Sequence, residues 1–86
     1  MKQSEKPLAM IRRRVILSRY GISNTAFYQR INSGLHTAGV SLGGQCVGWP
    51  SHEVDAIISA RIAGKTDDEI RALVDQLHAA RKEVVR

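Results

Sequence analysis

The chain has 86 residues, which is enough for one small domain with its own core but leaves no room for a second. With 43% hydrophobic and 24% charged residues its composition is typical of a globular protein, and no apolar run approaches the roughly 20 residues that span a bilayer. These properties exclude a membrane-inserted protein, and the first ten residues lack the apolar core of a secretory signal, so we expect a cytoplasmic protein.

Positive charge is concentrated in the first half of the chain. The net charge is +5 overall, but residues 1–48 carry +6 and residues 49–86 carry −1. Such an asymmetry is typical of a portion that faces a polyanion joined to a neutral scaffold or partner-facing portion. It therefore indicates a nucleic acid as the partner of the first half.

The first predicted elements are an arm and two short helices. Residues 1–10 contain few apolar side chains and are predicted to form a flexible N-terminal arm. Apolar positions at helical spacing predict a helix over residues 14–20, which Gly21 ends by taking the left-handed conformation. Ser23 is a suitable N-cap for a second helix that reaches about residue 33.

A small β-hairpin is predicted next, because two β-prone runs within residues 40–49 flank the sequence GGQ. Glycine permits the positive φ angles that tight hairpin turns require. We expect Val47 and Trp49 to be core anchors, and Cys46 to be a buried or half-buried structural thiol.

Two more helices complete the predicted chain. The third is expected to begin with Ser51 as its cap, with Glu53 as a favourable charge at its start and Ile62 among its inward positions. Residues 66–69, TDDE, match the capping box and predict the start of a fourth, amphipathic helix. Its apolar stripe either packs on the domain or pairs two protomers, and the pattern leaves both alternatives open.

The first two helices and their Gly-containing turn form the helix-turn-helix pattern. The major groove of B-DNA admits one α-helix, whose outward amides, hydroxyls and guanidinium groups can read base edges. The alternative interpretation is that these polar side chains form only the solvated face of two packed helices. The charge asymmetry and the β-hairpin that follows favour DNA binding. The candidate base-reading residues are Asn24, Thr25, Tyr28, Gln29 and Arg30.

Four guanidinium groups just before or on the first helix are candidates for phosphate contacts. Backbone phosphates would lie near them if the second helix occupied the major groove, and such contacts position a protein without reading sequence. The alternative is a solvated basic cluster that favours solubility. The four residues are Arg12, Arg13, Arg14 and Arg19.

The segments GISNTAFYQRINSG and VSLGGQCVGWPSHEVDAII resemble the AlpA family of phage and prophage regulators, over about residues 11–62. The resemblance implies a mainly α fold with a small β-hairpin, namely a winged helix-turn-helix of the MerR and excisionase type at residues 11–63. A C-terminal helix would follow at residues 64–86. The resemblance also implies a function, that of a sequence-specific transcriptional regulator of a phage or mobile element that binds double-stranded DNA. The alternative within the family is an excisionase that bends attachment-site DNA for an integrase.

In that picture the wing consists of Gly43, Gly44 and Gln45, with Gln45 at its tip. The family often has Arg where Gln45 stands, Lys where Ser41 stands and Pro where Thr37 stands. The wing of this chain is therefore less basic, because a neutral Gln can hydrogen-bond to a phosphate but releases no counterion.

No motif predicts catalysis, a metal site or a cofactor. Serine, histidine and acidic residues occur in no nucleophile elbow, H-E-x-x-H or P-loop arrangement, and the single cysteine and three histidines lack metal-ligand spacing. We therefore expect no enzyme. The leading hypothesis adds a nucleoid-associated location, RNA polymerase or an integrase as partner, and a homodimer or cooperative oligomer on DNA. The competing hypothesis is a helical protein–protein interaction module that uses the fourth helix.

Overall fold

The computed structural model describes residues 9–84, with the side chains of residues 9–82. Within that range the chain forms four helices and one three-stranded antiparallel sheet, so the mainly helical fold with a hairpin is confirmed. None of these helices combines the length and the apolarity that crossing a membrane requires. The elements are β1 (Met10–Arg12), α1 (Arg13–Tyr20), α2 (Asn24–Asn32), β2 (Val40–Gly43), β3 (Cys46–Pro50), α3 (Ser51–Ile62) and α4 (Asp67–Val84).

Strand β1 is an element that the sequence did not predict. It lies at the edge of the sheet, whose order is β1-β3-β2, and pairs Ile11 with Trp49. The Ser51 N–H also donates to the Ala9 carbonyl oxygen at 2.8 Å. Residues 1–8 of the predicted arm lie outside the described residues, whereas Met10 belongs to the sheet. A three-residue strand is too short to show a period, so only its pairing with a distant strand defines it.

The turn between α1 and α2 follows the local sequence signals. Gly21 has φ +68°, and its N–H and that of Ile22 both donate to the Leu17 carbonyl oxygen, at 2.8 and 3.2 Å. The Ser23 hydroxyl accepts a hydrogen bond from the Ala26 N–H at 3.1 Å. The predicted helix stop and the predicted N-cap are both confirmed.

The hairpin is confirmed, but its burial differs from the prediction. Trp49 is buried, whereas Val47 is 40% exposed and Cys46 is exposed, so the predictions for these two side chains were wrong. Ile11 of β1 packs with Trp49 in the core. Nearer the turn the hairpin extends past the buried core, so alternation along β3 no longer decides burial.

The start of α3 also differs from its prediction. Pro50 occupies the N-cap position and Ser51 is the first helical residue, so Ser51 does not cap the helix. Ile62 at the other end is 81% exposed, because α3 ends there and the chain turns away at Gly64. Glu53 lies in the first turn of α3, as predicted, but its full burial and its ion pair with Arg81 were not predicted from the sequence.

The core consists of two clusters joined by the α3 helix. The first cluster contains Phe27 and Trp49, and the second contains Ile57 of α3 with Ile70 and Val74 of α4. The apolar face of α4 therefore packs against the domain's own α3. The capping box that starts α4 is confirmed by its two reciprocal hydrogen bonds, at 2.8 and 3.2 Å.

Candidate nucleic-acid interface

An open groove of about 510 Å³ lies between the start of α1, Tyr28 of α2 and the β2–β3 hairpin. Each of the three groups of predicted DNA-contacting residues contributes at least one side chain to it. The lining residues are Arg12, Arg13, Arg14, Val15, Tyr28, Gln45, Val47 and Trp49.

The arginine cluster, Arg12, Arg13 and Arg14, gives one wall of this groove its charge. All three side chains are exposed, and no carboxylate among the described residues lies within ion-pairing distance of them. Helix α1 begins in this cluster, with no acidic residue in its first turn and no side-chain cap. Cations at the positive end of a helix dipole are unfavourable by roughly 0.3–1 kcal/mol each, so an anion bound there would relieve the repulsion.

The outer face of α2 carries the polar side chains that its sequence spacing predicts. Thr25 and Gln29 are exposed on the face opposite the fully buried Phe27, and Asn24 is exposed beside that face. None of these three side chains lines the groove. Tyr28 is 39% exposed and lines the groove, with its ring centroid 5.7 Å from that of Phe27. The helix thus presents amide, hydroxyl and phenol groups outward from a rigid core.

Two other arginines predicted to contact DNA are already engaged within the protein. Arg19 pairs with Asp55 of α3 at 3.1 Å. Arg30 is half-buried, with its guanidinium carbon 5.7 Å from the centroid of the Tyr20 ring. Neither lines the groove. Spacing along the chain could not show these contacts, because Asp55 and Tyr20 belong to other helices.

The hairpin turn brings the predicted wing to the edge of the groove. Gly43 and Gly44 have φ +104° and +56°, values that L side chains rarely adopt, and they allow the tight turn. Gln45 follows them, is exposed and lines the groove. The two glycines contribute backbone geometry, whereas Gln45 contributes the functional group.

Two apolar groove residues, Val15 and Val47, did not figure among the predicted contacts. They are 47% and 40% exposed. Val15 lies outside the apolar stripe of α1, and a valine on the polar side of a helix is the signal that could have identified it. For Val47 no comparable signal exists, because alternation with Trp49 points to the core.

No cluster of three or more metal-binding side chains occurs among the described residues. Comparisons of the chain with protein-family models, curated proteins and solved structures found no match. The resemblance to the AlpA family therefore stays a prediction.

Proposed function

We propose that this chain binds double-stranded DNA as a winged helix-turn-helix protein, with α2 as the recognition helix and the β2–β3 hairpin as the wing. The observation that carries the proposal is the shared groove, which is lined by the arginine cluster, by Tyr28 of α2 and by Gln45 of the hairpin turn. These residues come from three separate parts of the chain. A surface that merely kept the protein in solution would not require them to converge.

The arginine cluster fits the DNA backbone on electrostatic grounds. Each Lys or Arg that neutralises a phosphate releases a condensed counterion, which favours binding and makes it salt-dependent. Arg12, Arg13 and Arg14 are exposed and have no carboxylate partner among residues 9–82. Their charge is therefore available to phosphates, whereas that of Arg19 is partly neutralised by Asp55.

The outer face of α2 supplies the groups that read bases. Amide side chains pair with the donor and acceptor edges of adenine, and apolar side chains contact the thymine methyl group. Asn24 and Gln29 are exposed amides on α2, and Val15 offers an apolar contact on the neighbouring wall of the groove. Among the predicted base-reading residues, Arg30 is the least available because it stacks on Tyr20.

The AlpA-like sequence favours a transcriptional regulator of a phage or mobile element. An excisionase would use the same surface, but it would also bend the duplex, at a cost of order 1–6 kcal/mol that added contacts offset. Footprinting across an attachment site and its neighbouring promoter, together with a gel assay of DNA bending, distinguishes the two roles.

Fluorescence anisotropy with a labelled random-sequence duplex tests the proposal. Wild-type protein should bind at low salt, and Arg13→Ala should weaken binding and lower the slope of log affinity against log salt by about 1. The matched control is Lys65→Ala, which removes one exposed positive charge from the α3–α4 connection. Absence of binding at low salt, or equal effects of the two variants, would contradict the proposal.

Selection of duplexes from a random pool tests base reading separately. Gln29→Ala should relax the selected sequence, because its exposed amide is removed from α2. Arg13→Ala should lower the affinity and keep the sequence, since phosphate contacts carry no sequence information. Relaxation by Arg13→Ala, or an unchanged motif with Gln29→Ala, would argue against these roles.

A further inference from the structure

Two side chains of α4 hold the connection between α2 and β2. The Ala38 N–H donates to His78 Nε2 at 3.0 Å, and the Ala38 carbonyl oxygen accepts from Arg81 Nη2 at 2.7 Å. His78 and Arg81 are three positions apart, so they lie on the same face of the helix. Both backbone polar groups of one loop residue are thus bound to α4.

Arg81 is itself oriented by a buried carboxylate. Its Nε and Nη2 atoms donate to Glu53 Oε2 and Oε1 at 2.8 and 2.7 Å, and Glu53 is fully buried at the start of α3. A bidentate pair holds the planar guanidinium in one orientation. The hydrogen bond from Arg81 to Ala38 is therefore directed by α3 as well as by α4.

The same loop contacts the hairpin on its other side. The Thr37 carbonyl oxygen accepts a hydrogen bond from Trp49 Nε1 at 2.9 Å. Gly39 lies so close to β3 that an added Cβ would overlap Val47 Cγ1. Val47 lines the groove. A continuous series of contacts therefore runs from α4 through residues 37–39 to the proposed wing.

We infer that His78 and Arg81, the latter oriented by Glu53, are positioning residues for the β2–β3 hairpin in DNA binding and act through Ala38. This inference rests on the proposed function. Helix α4 then contributes to DNA affinity without contacting DNA, because it holds the hairpin at the distance from α2 that brings Gln45 and Tyr28 to one groove. An ion pair with a purely structural role would change the stability of the protein but not the order of the hairpin.

The variant that separates the two roles is the double substitution Glu53→Leu/Arg81→Met. Replacing a buried ion pair by apolar side chains of similar size is often neutral for stability. The double variant removes the guanidinium that binds Ala38 while it keeps the packing of α3 on α4. Two further variants complete the set. His78→Ala breaks only the bond to the Ala38 N–H, and Gln76→Met is the control on the exposed face of α4.

Amide hydrogen exchange of the full, DNA-free chain gives the first readout. The amides of residues 40–49 should exchange about tenfold faster in the double variant, the effect of losing about one hydrogen bond, while those of α2 keep their rate. His78→Ala should act in the same direction and Gln76→Met should have no effect. An unchanged rate in residues 40–49 overturns the inference, whatever the DNA results. Should the double variant unfold, His78→Ala decides by the same measurement.

A mutant cycle on a labelled random-sequence duplex gives the second readout. Gln45→Ala should weaken binding by wild-type protein, and this loss should shrink towards zero in the double variant, whose hairpin no longer holds Gln45 in place. Equal losses in both backgrounds overturn the positioning role. Failure of wild-type protein to bind any duplex overturns the proposed function, and the exchange rates then still decide whether α4 orders the hairpin.

Discussion

The ring of Phe27 in α2 packs edge-on against the ring of Trp49 in β3, with their centroids 5.2 Å apart. Both side chains are buried in the same core cluster. The contact joins the inner face of the proposed recognition helix to the proposed wing, so the two elements that would contact DNA share one rigid support.

Removing the Phe27 ring should therefore destabilise the protein. Phe27→Ala should lower the free energy of unfolding by about 3–5 kcal/mol, through lost burial and the cavity left behind. Urea unfolding followed by circular dichroism measures this change. Val15→Ala is the control, since Val15 is 47% exposed, and it should change stability by no more than about 0.5 kcal/mol. Equal effects would show that Phe27 is not a core residue.

The capping box should account for a measurable part of the stability of α4. The Glu69 N–H donates to the Thr66 hydroxyl at 3.2 Å, so Thr66→Ala should destabilise the protein by about 1 kcal/mol. Thr25→Ala makes the same chemical change at the second residue of α2, which is not the N-cap because Ser23 caps that helix, and should alter stability by at most about 0.5 kcal/mol. Indistinguishable urea midpoints for the two variants would contradict the assignment of Thr66 as the cap of α4.

His36 should make stability depend on pH. Burial lowers its pKa below the ordinary value of 6.5, although the hydrogen bond to the Thr37 carbonyl oxygen acts in the opposite direction. As the pH falls below about 6.5, the unfolded chain takes up a proton that the folded protein resists, so stability decreases towards acid. A protonated ring would also bury an N–H at Nε2, which has no partner among the described residues.

Urea unfolding at neutral pH and at pH values below 6.5 checks this expectation. His36→Phe keeps a ring between Tyr20 and Phe27 but cannot titrate, so it should lose this component of the acid destabilisation. His52→Phe, at an exposed position, should keep it. The assignment to His36 fails if both variants retain the pH dependence of the wild-type protein.

A positive charge at the hairpin turn should strengthen DNA binding. Gln45→Arg places a guanidinium at the edge of the groove, so affinity for any duplex should rise and the salt slope should steepen by about 0.9 for one added phosphate contact. Gln76→Arg adds the same net charge on the exposed face of α4 and should leave the slope nearly unchanged. Equal slopes for the two variants would place the hairpin outside the DNA interface.

Cys46 provides a chemical probe of the same hairpin. Its thiol is exposed, so a maleimide should label the native protein without denaturant. Because Cys46 adjoins Gln45 at the turn, bound duplex DNA should slow the labelling. A thiol moved to α4 by Cys46→Ser/Gln76→Cys should react at the same rate with and without DNA. Labelling that requires denaturant would contradict the exposure of Cys46.

The α1–α2 turn, the N-cap of α2 and the capping box of α4 could be predicted from the sequence, because each depends on residues close together in the chain. Gly21 ends α1 and Ser23 caps α2 through contacts within a few residues. Thr66 and Glu69 start α4 in the same way. The polar outer face of α2 was equally predictable, since helical geometry alone places Thr25 and Gln29 opposite Phe27.

Only the tertiary structure decided the features that depend on distant residues. The pairing of β1 with β3, the burial of Glu53 beside Arg81, and the engagement of Arg19 by Asp55 each join different elements. The groove likewise exists because folding brings the arginine cluster, α2 and the hairpin turn together. Local hydrogen bonds and periodicity are encoded in short segments, whereas burial and electrostatic pairing depend on which segments the fold places side by side.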